Sequence, residues 1–175
     1  MGRCYKRVLK LLPMHPEGPT GNIEVYRLED AQASHTRQLT KRKEYYKIGL
    51  VKGSNRYHAT EEGLVVSGNS LVFLHPRAPS TCESLTRGQE GFCCIFNVPF
   101  FTAQMQEKIN ALPMFMAGGR PVYHLTEEQT AAATDIFRRM VEVLASDYRF
   151  KYELLWNYVA QLMHMGLKIQ QTTDK

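Results

Sequence analysis

Between about residues 23 and 96 the apolar runs are short, and each is bounded by Gly, Asn, Pro or Ser. The runs that survive are rich in β-branched and aromatic side chains, which suit a pleated, half-buried surface. Six of them, at 23–28, 45–51, 56–60, 64–66, 71–75 and 92–96, read as short strands. Strands this short and this closely spaced imply a sandwich or barrel. Lys52-Gly53-Ser54-Asn55 and Glu61-Glu62-Gly63 place Gly where a positive φ is needed, so their flanking strands are expected to pair as antiparallel hairpins. Ahead of this region Pro13, Pro16, Gly18, Pro19 and Gly21 stop any element begun in the first twelve residues.

After Pro121 the apolar spacing changes from two to three and four. Thr126-Glu127-Glu128-Gln129 fits a capping box, with two acids at the positive end of the helix dipole, so a helix is predicted to start there. Ala133, Phe137, Met140, Val141 and Leu144 form its apolar stripe, and Ser146-Asp147 ends it. A second helix is predicted from about Phe150, with Leu154, Leu155, Tyr158, Val159, Leu162, Gly166 and Ile169 on one side and Trp156 and Met163 off that stripe. So much apolar surface leaves two alternatives: burial within one copy of the chain, or one face meeting a second copy. The homodimer reading puts Leu155, Tyr158, Leu162 and Ile169 at the interface.

At 175 residues and 43% hydrophobic content the chain can bury a real core, and disorder is excluded. Its formal net charge of +5 comes from 22 Lys and Arg against 17 Asp and Glu, and Arg37, Lys41, Arg42, Lys43, Lys47, Lys52 and Arg56 have only Glu44 among them. Such a run reads as a solvated edge, with duplex DNA as the alternative partner. No apolar stretch reaches the ~18–20 residues of a membrane span, and Lys6 breaks the myristoylation pattern after Met1-Gly2. Four cysteines are too few for a disulfide framework, so a reducing, cytoplasmic setting without membrane contact is expected. Cys93 and Cys94 read as small core residues pointing to opposite sides of a strand: Phe92, Cys94 and Phe96 make one stripe and Cys93 with Ile95 the other. The six histidines have no metal-ligand spacing, and no nucleophile elbow or phosphate-binding Gly loop occurs. No catalytic residue is assigned and enzyme activity is not expected.

One stretch says more. Glu44-Tyr45-Tyr46-Lys47-Ile48, a short Gly turn, Arg56-Tyr57-His58, then Gly68-Asn69-Ser70-Leu71-Val72-Phe73 with Pro76 and Pro79 following, and Glu90-Gly91-Phe92-Cys93-Cys94-Ile95-Phe96 together resemble the amino-terminal cupin domain of AraC-type bacterial transcription regulators. The likeness runs from about Ile23 to Ile169, spread along the chain rather than vested in one motif. It implies a mainly β fold, a double-stranded β-helix or jelly-roll barrel followed by two antiparallel helices. The boundaries would be an amino-terminal segment at 1–22, a ligand-sensing barrel at 23–124 and a dimerising helical hairpin at 125–170. DNA contact would belong to helix-turn-helix units that are absent from this chain.

The resemblance also exposes a departure. Lys41 and Lys43 stand where metal-dependent cupins carry paired histidines, Lys47 where they carry a glutamate, and Ser80 where a later histidine falls. Ammonium groups repel a divalent cation and offer it no lone pair, so no metal or other cofactor is expected. The vessel would instead bind a small effector, a sugar or a carboxylate. If Lys47 points inward, Tyr45, Gly49 and Val51 share its face, while Tyr46, Ile48 and Leu50 pack toward the other sheet or the helices. The ligand-binding candidates are Tyr45, Lys47, Arg56, His58 and His75, the last at a strand end before Pro76. Two alternatives stay open: a metal-independent cupin enzyme using a neutral Lys47 as base, and a dimerisation scaffold without ligand.

Overall fold

The computed structural model describes residues 22–30, 45–57, 64–77, 82–84 and 90–175. Among the described residues eight strands form in chain order: β1 (Ile23–Arg27), β2 (Tyr45–Val51), β3 (Ser54–Tyr57), β4 (Leu64–Ser67), β5 (Ser70–Leu74), β6 (Cys82–Ser84), β7 (Gly91–Asn97) and β8 (Val122–His124). Five build an antiparallel sheet in the order β1-β7-β2-β5-β8, and three build a smaller one in the order β4-β3-β6. The central strand β2 begins and ends where its alternation predicts, and pairs along its whole length with β7, from Tyr45 opposite Asn97 to Val51 opposite Gly91.

One expectation is overturned. The 52–55 turn is no hairpin: β2 and β3 lie in different sheets. The chain leaves the large sheet at Gly53 (φ 78°), pairs β3 with β4 from Ser54 opposite Ser67 to Tyr57 opposite Leu64, and returns at Gly68 (φ 80°) into β5. The two crossings lie side by side, the Gly68 amide donating to the Gly53 carbonyl at 3.0 Å. Packing explains the choice. A β2–β3 hairpin would leave Val51 and Val72 uncovered, whereas the crossing brings Val66 of β4 onto Val51, Val72 and Leu74. The strands flanking 61–63 do pair as expected, although the turn itself lies outside the described residues.

Helix α1 (Ala103–Asn110) and strands β6 and β8 are additions to the sequence reading. Thr102 caps α1, its hydroxyl accepting from the Met105 amide at 3.3 Å. Helices α2 (Glu127–Ala145) and α3 (Lys151–Thr173) arise where their periodicity places them. The capping box is complete: the Gln129 amide donates to the Thr126 hydroxyl at 3.2 Å and the Thr126 amide to the Gln129 side chain at 2.9 Å. Both helices bury their stripes against one face of the large sheet. Phe137 of α2 stacks on Phe92 with ring centroids 5.4 Å apart, and Gly166 of α3 passes so close that a Cβ there would fall 3.3 Å from Phe73.

That packing corrects the interface assignment. Leu155 and Leu162 are fully buried in the core shared with the sheet, so neither can meet a second copy of the chain. Tyr158 and Ile169 are only partly buried. No helix among the described residues is long and apolar enough to cross a membrane.

Candidate functional site

Strand alternation gives the large sheet two different faces. Tyr46, Ile48 and Leu50 of β2, with Leu71, Phe73, Phe92, Cys94 and Phe96 of its neighbours, belong to the apolar cluster under the helices. Tyr45, Lys47, Gly49 and Val51 look the other way. On this inner face Val66 of the small sheet covers the end formed by Val51, Val72 and Leu74.

Lys47 lies between Leu74 of β5 and Ile95 of β7 and is 8% exposed. A buried ammonium is costly unless hydrogen-bonded or ion-paired, so a Lys held in the middle of a sheet is a chemical commitment rather than a packing choice. Tyr45, two residues earlier and opposite Asn97, is half-buried on the same side. One strand step inward, Gly49 faces Cys93 on β7 and Val72 on β5, and Cys93 faces Tyr26 on β1. Here the inner face opens. Gly49, Cys93 and Tyr26 are partly accessible, although Lys47, Val51, Val72 and Ile95 around them are all buried.

The sequence candidates do not all converge here. Tyr45 and Lys47 are brought together. Arg56 pairs with Val65, which is 50% exposed, whereas the adjacent Asn55 and its partner Val66 are 0% and 1% exposed. Arg56 therefore sits on the outer face of the small sheet, turned away from Lys47. His58 lies outside the described residues. His75 follows Leu71 and Phe73 onto the helix side, opposite to Lys47. Lys41, Lys43 and Ser80 also fall outside the described residues.

Around His75 the structure assembles a polar node that sequence reasoning missed. Its Nδ1 accepts the Arg77 backbone amide at 3.1 Å, which leaves the ring proton on Nε2. The ring meets Tyr46 edge-on at 5.4 Å between centroids, and the Tyr46 hydroxyl donates to the Asn110 side chain at the end of α1 at 2.5 Å. Burial raises the Tyr46 pKa, with the Asn110 bond and the Arg77 charge partly offsetting it. Burial lowers the His75 pKa, the Asn110 side chain opposes that, and Arg77 adds to it. Asn110 gave no signal in the sequence because α1 itself did not. An open groove of about 410 Å³ between α2 and the two sheet crossings is lined by Lys52, Asn69, Thr130, Thr134 and Arg138 among others, and contains none of the sequence candidates.

No protein-family profile matches the chain, and no curated protein is found to resemble it.

Proposed function

We propose that this chain is the effector-sensing part of an AraC-type transcription regulator, a metal-free cupin domain that takes a small molecule on the inner face of its large sheet. The observation that carries this reading is the two-sidedness of β2. Lys47 and Gly49 face the accessible inner side, while Tyr46, Ile48 and Leu50, alternating with them, bear on the cluster shared with α2 and α3. A ligand that binds one arrangement of β2 better than another thereby shifts the helices, and linkage needs nothing more. Dimerisation, also implied by the resemblance, would use the flank of α3 that bears Tyr158 and Ile169. DNA contact would belong to helix-turn-helix units joined to those helices.

The test is a thermal-denaturation screen of the chain against monosaccharides and small carboxylates, repeated on Lys47→Met. A molecule at a hundred times its Kd stabilises the folded state by about 2.7 kcal/mol, which a melting curve resolves. At least one compound is expected to raise Tm in the wild type and to lose that effect in Lys47→Met. Binding that survives in Lys47→Met places the effector elsewhere. A flat response across the panel, with salt-sensitive affinity for duplex DNA, would replace the sensing reading by direct nucleic-acid binding.

A further inference from the structure

Gly49 occupies the middle of the central strand of the large sheet, with β5 on one side and β7 on the other. Glycine there is unfavourable: it has no side chain to pack and loses the most conformational freedom on folding. Three reasons could justify it. The first is a bulge or a conformation closed to other residues. The register runs without interruption from Lys47 to Val51 against both neighbours, and Gly49 is not among the positive-φ glycines of the described residues. The second is close passage of another part of the protein. Among the described residues, a Cβ built on Gly49 would meet the Val51 side chain at 3.7 Å and the Phe92 carbonyl at 3.9 Å, both ordinary contacts. This differs from Gly166, whose Cβ would press on Met114, Phe73 and Tyr123 at 3.2–3.4 Å and which is therefore a packing glycine. The third reason is the approach of a ligand to the backbone.

We infer that Gly49 is the floor of the effector site and selects by shape, admitting a small flat-faced molecule that lies against the bare peptide planes of β2 beside Cys93. This rests on the sensing role proposed above and narrows it to one residue. Accessibility supports it independently. Gly49 and Cys93 are reached by solvent although Val51, Val72, Ile95 and Lys47 around them are at most 8% exposed, so the floor is recessed below its surroundings. Any side chain at position 49 would stand in that recess.

The recess can be probed without knowing the effector. The full chain is treated with iodoacetamide and the modified thiols are located by tandem mass spectrometry, alongside melting curves, for wild type, Gly49→Ala and Gly49→Val. The thiol of Cys93 displaces iodide and loses its proton to buffer, whereas Cys94, fully buried and with its pKa pushed well up by that burial, serves as the internal control. The expected result is modification of Cys93 but not Cys94 in the folded wild type and loss of Cys93 modification in Gly49→Val. Tm should hold or rise by about 2 °C in Gly49→Ala, because a strand glycine with no structural duty is replaced by a residue with less freedom to lose. A fall in Tm for Gly49→Ala would make the glycine structural, and undiminished Cys93 modification in Gly49→Val would remove the recess from position 49. Either outcome overturns the inference. Neither readout depends on an effector, so a failed effector screen and a failed floor assignment are separable.

Discussion

The two faces of the large sheet are made by the same strands and could hardly differ more. Under the helices every position of β2 is apolar or aromatic and buried, and the one polar atom, the Tyr46 hydroxyl, is bonded to Asn110. On the inner face the same seven residues present Tyr45, Lys47 and Gly49, and only Val51 packs as a core residue should. The first face is built for stability and the second departs from the rules of stable packing. Such departures are expected where a protein binds something, because a fold keeps unfavourable local choices only where they serve another purpose. A buried cation and a bare glycine within three residues are why the proposed site is put on the inner face.

If this division holds, the largest effects on stability come from the helix side. Leu155 has no exposure and lies in the cluster joining α3 to the sheet. Leu155→Ala should cost about 2–5 kcal/mol, from the lost transfer energy and the cavity left behind, read as a lower denaturation midpoint in guanidinium. A cost under ~1 kcal/mol would mean that α3 is not fixed to the sheet and would return Leu155 to the surface. This also explains why charge substitutions at Leu155 and Leu162 cannot report on dimerisation: they would unfold the chain before they separated two copies.

How far the sequence carried depends on whether a feature is set locally. The capping box of α2 and the span of β2 were legible because hydroxyl, amide and alternation lie within a few residues of one another. Lys47 and Tyr45 were correctly placed on one face by the same period of two. The crossing at Gly53 was not legible, since a positive-φ glycine serves a hairpin and a sheet change equally well, and distant packing of Val66 decides between them. Arg56 escaped for a related reason. In β4 Val65 and Val66 are both apolar, so alternation alone could not say which side of the small sheet faces inward. Helix α1 buries only Ile109 completely and is mostly polar, too weak a stripe to read, and with it went Asn110 and the His75 node.

That node gives a smaller, pH-dependent test of the helix side. Groups facing His75 among those described are Tyr46 from β2, Asn110 from α1 and Arg77 from its own loop. A histidine with a folded pKa below the unfolded value near 6.5 binds fewer protons in the native state across the interval between the two. Its contribution is thus fully present above the unfolded value and is lost as pH falls through the folded one. Protonation also places an Nδ1–H against the Arg77 amide that now donates to it. The denaturation midpoint should fall between pH 7.5 and pH 5.5 (roughly one unit either side of the reference value), and His75→Gln should flatten that slope. An equal slope in the variant would assign the acid sensitivity to other groups.

The smallest effect is expected from the residue that the fold moved furthest from its anticipated role. Arg56 shares the outer side of the small sheet with Val65, a side that neither covers the large sheet nor meets Lys47. Arg56→Ala should change stability by no more than about 0.5 kcal/mol, as surface substitutions usually do, and should leave intact any effector-induced rise in Tm that Lys47→Met removes. The comparison with Lys47 matters more than either value alone. Both are cations in neighbouring strands of the chain, and by charge and sequence they were equally plausible ligands for an anion. If the two substitutions abolish effector binding alike, the site must wrap around the edge of the small sheet, and the division between a stable helix side and a working inner face would have to be redrawn along that edge.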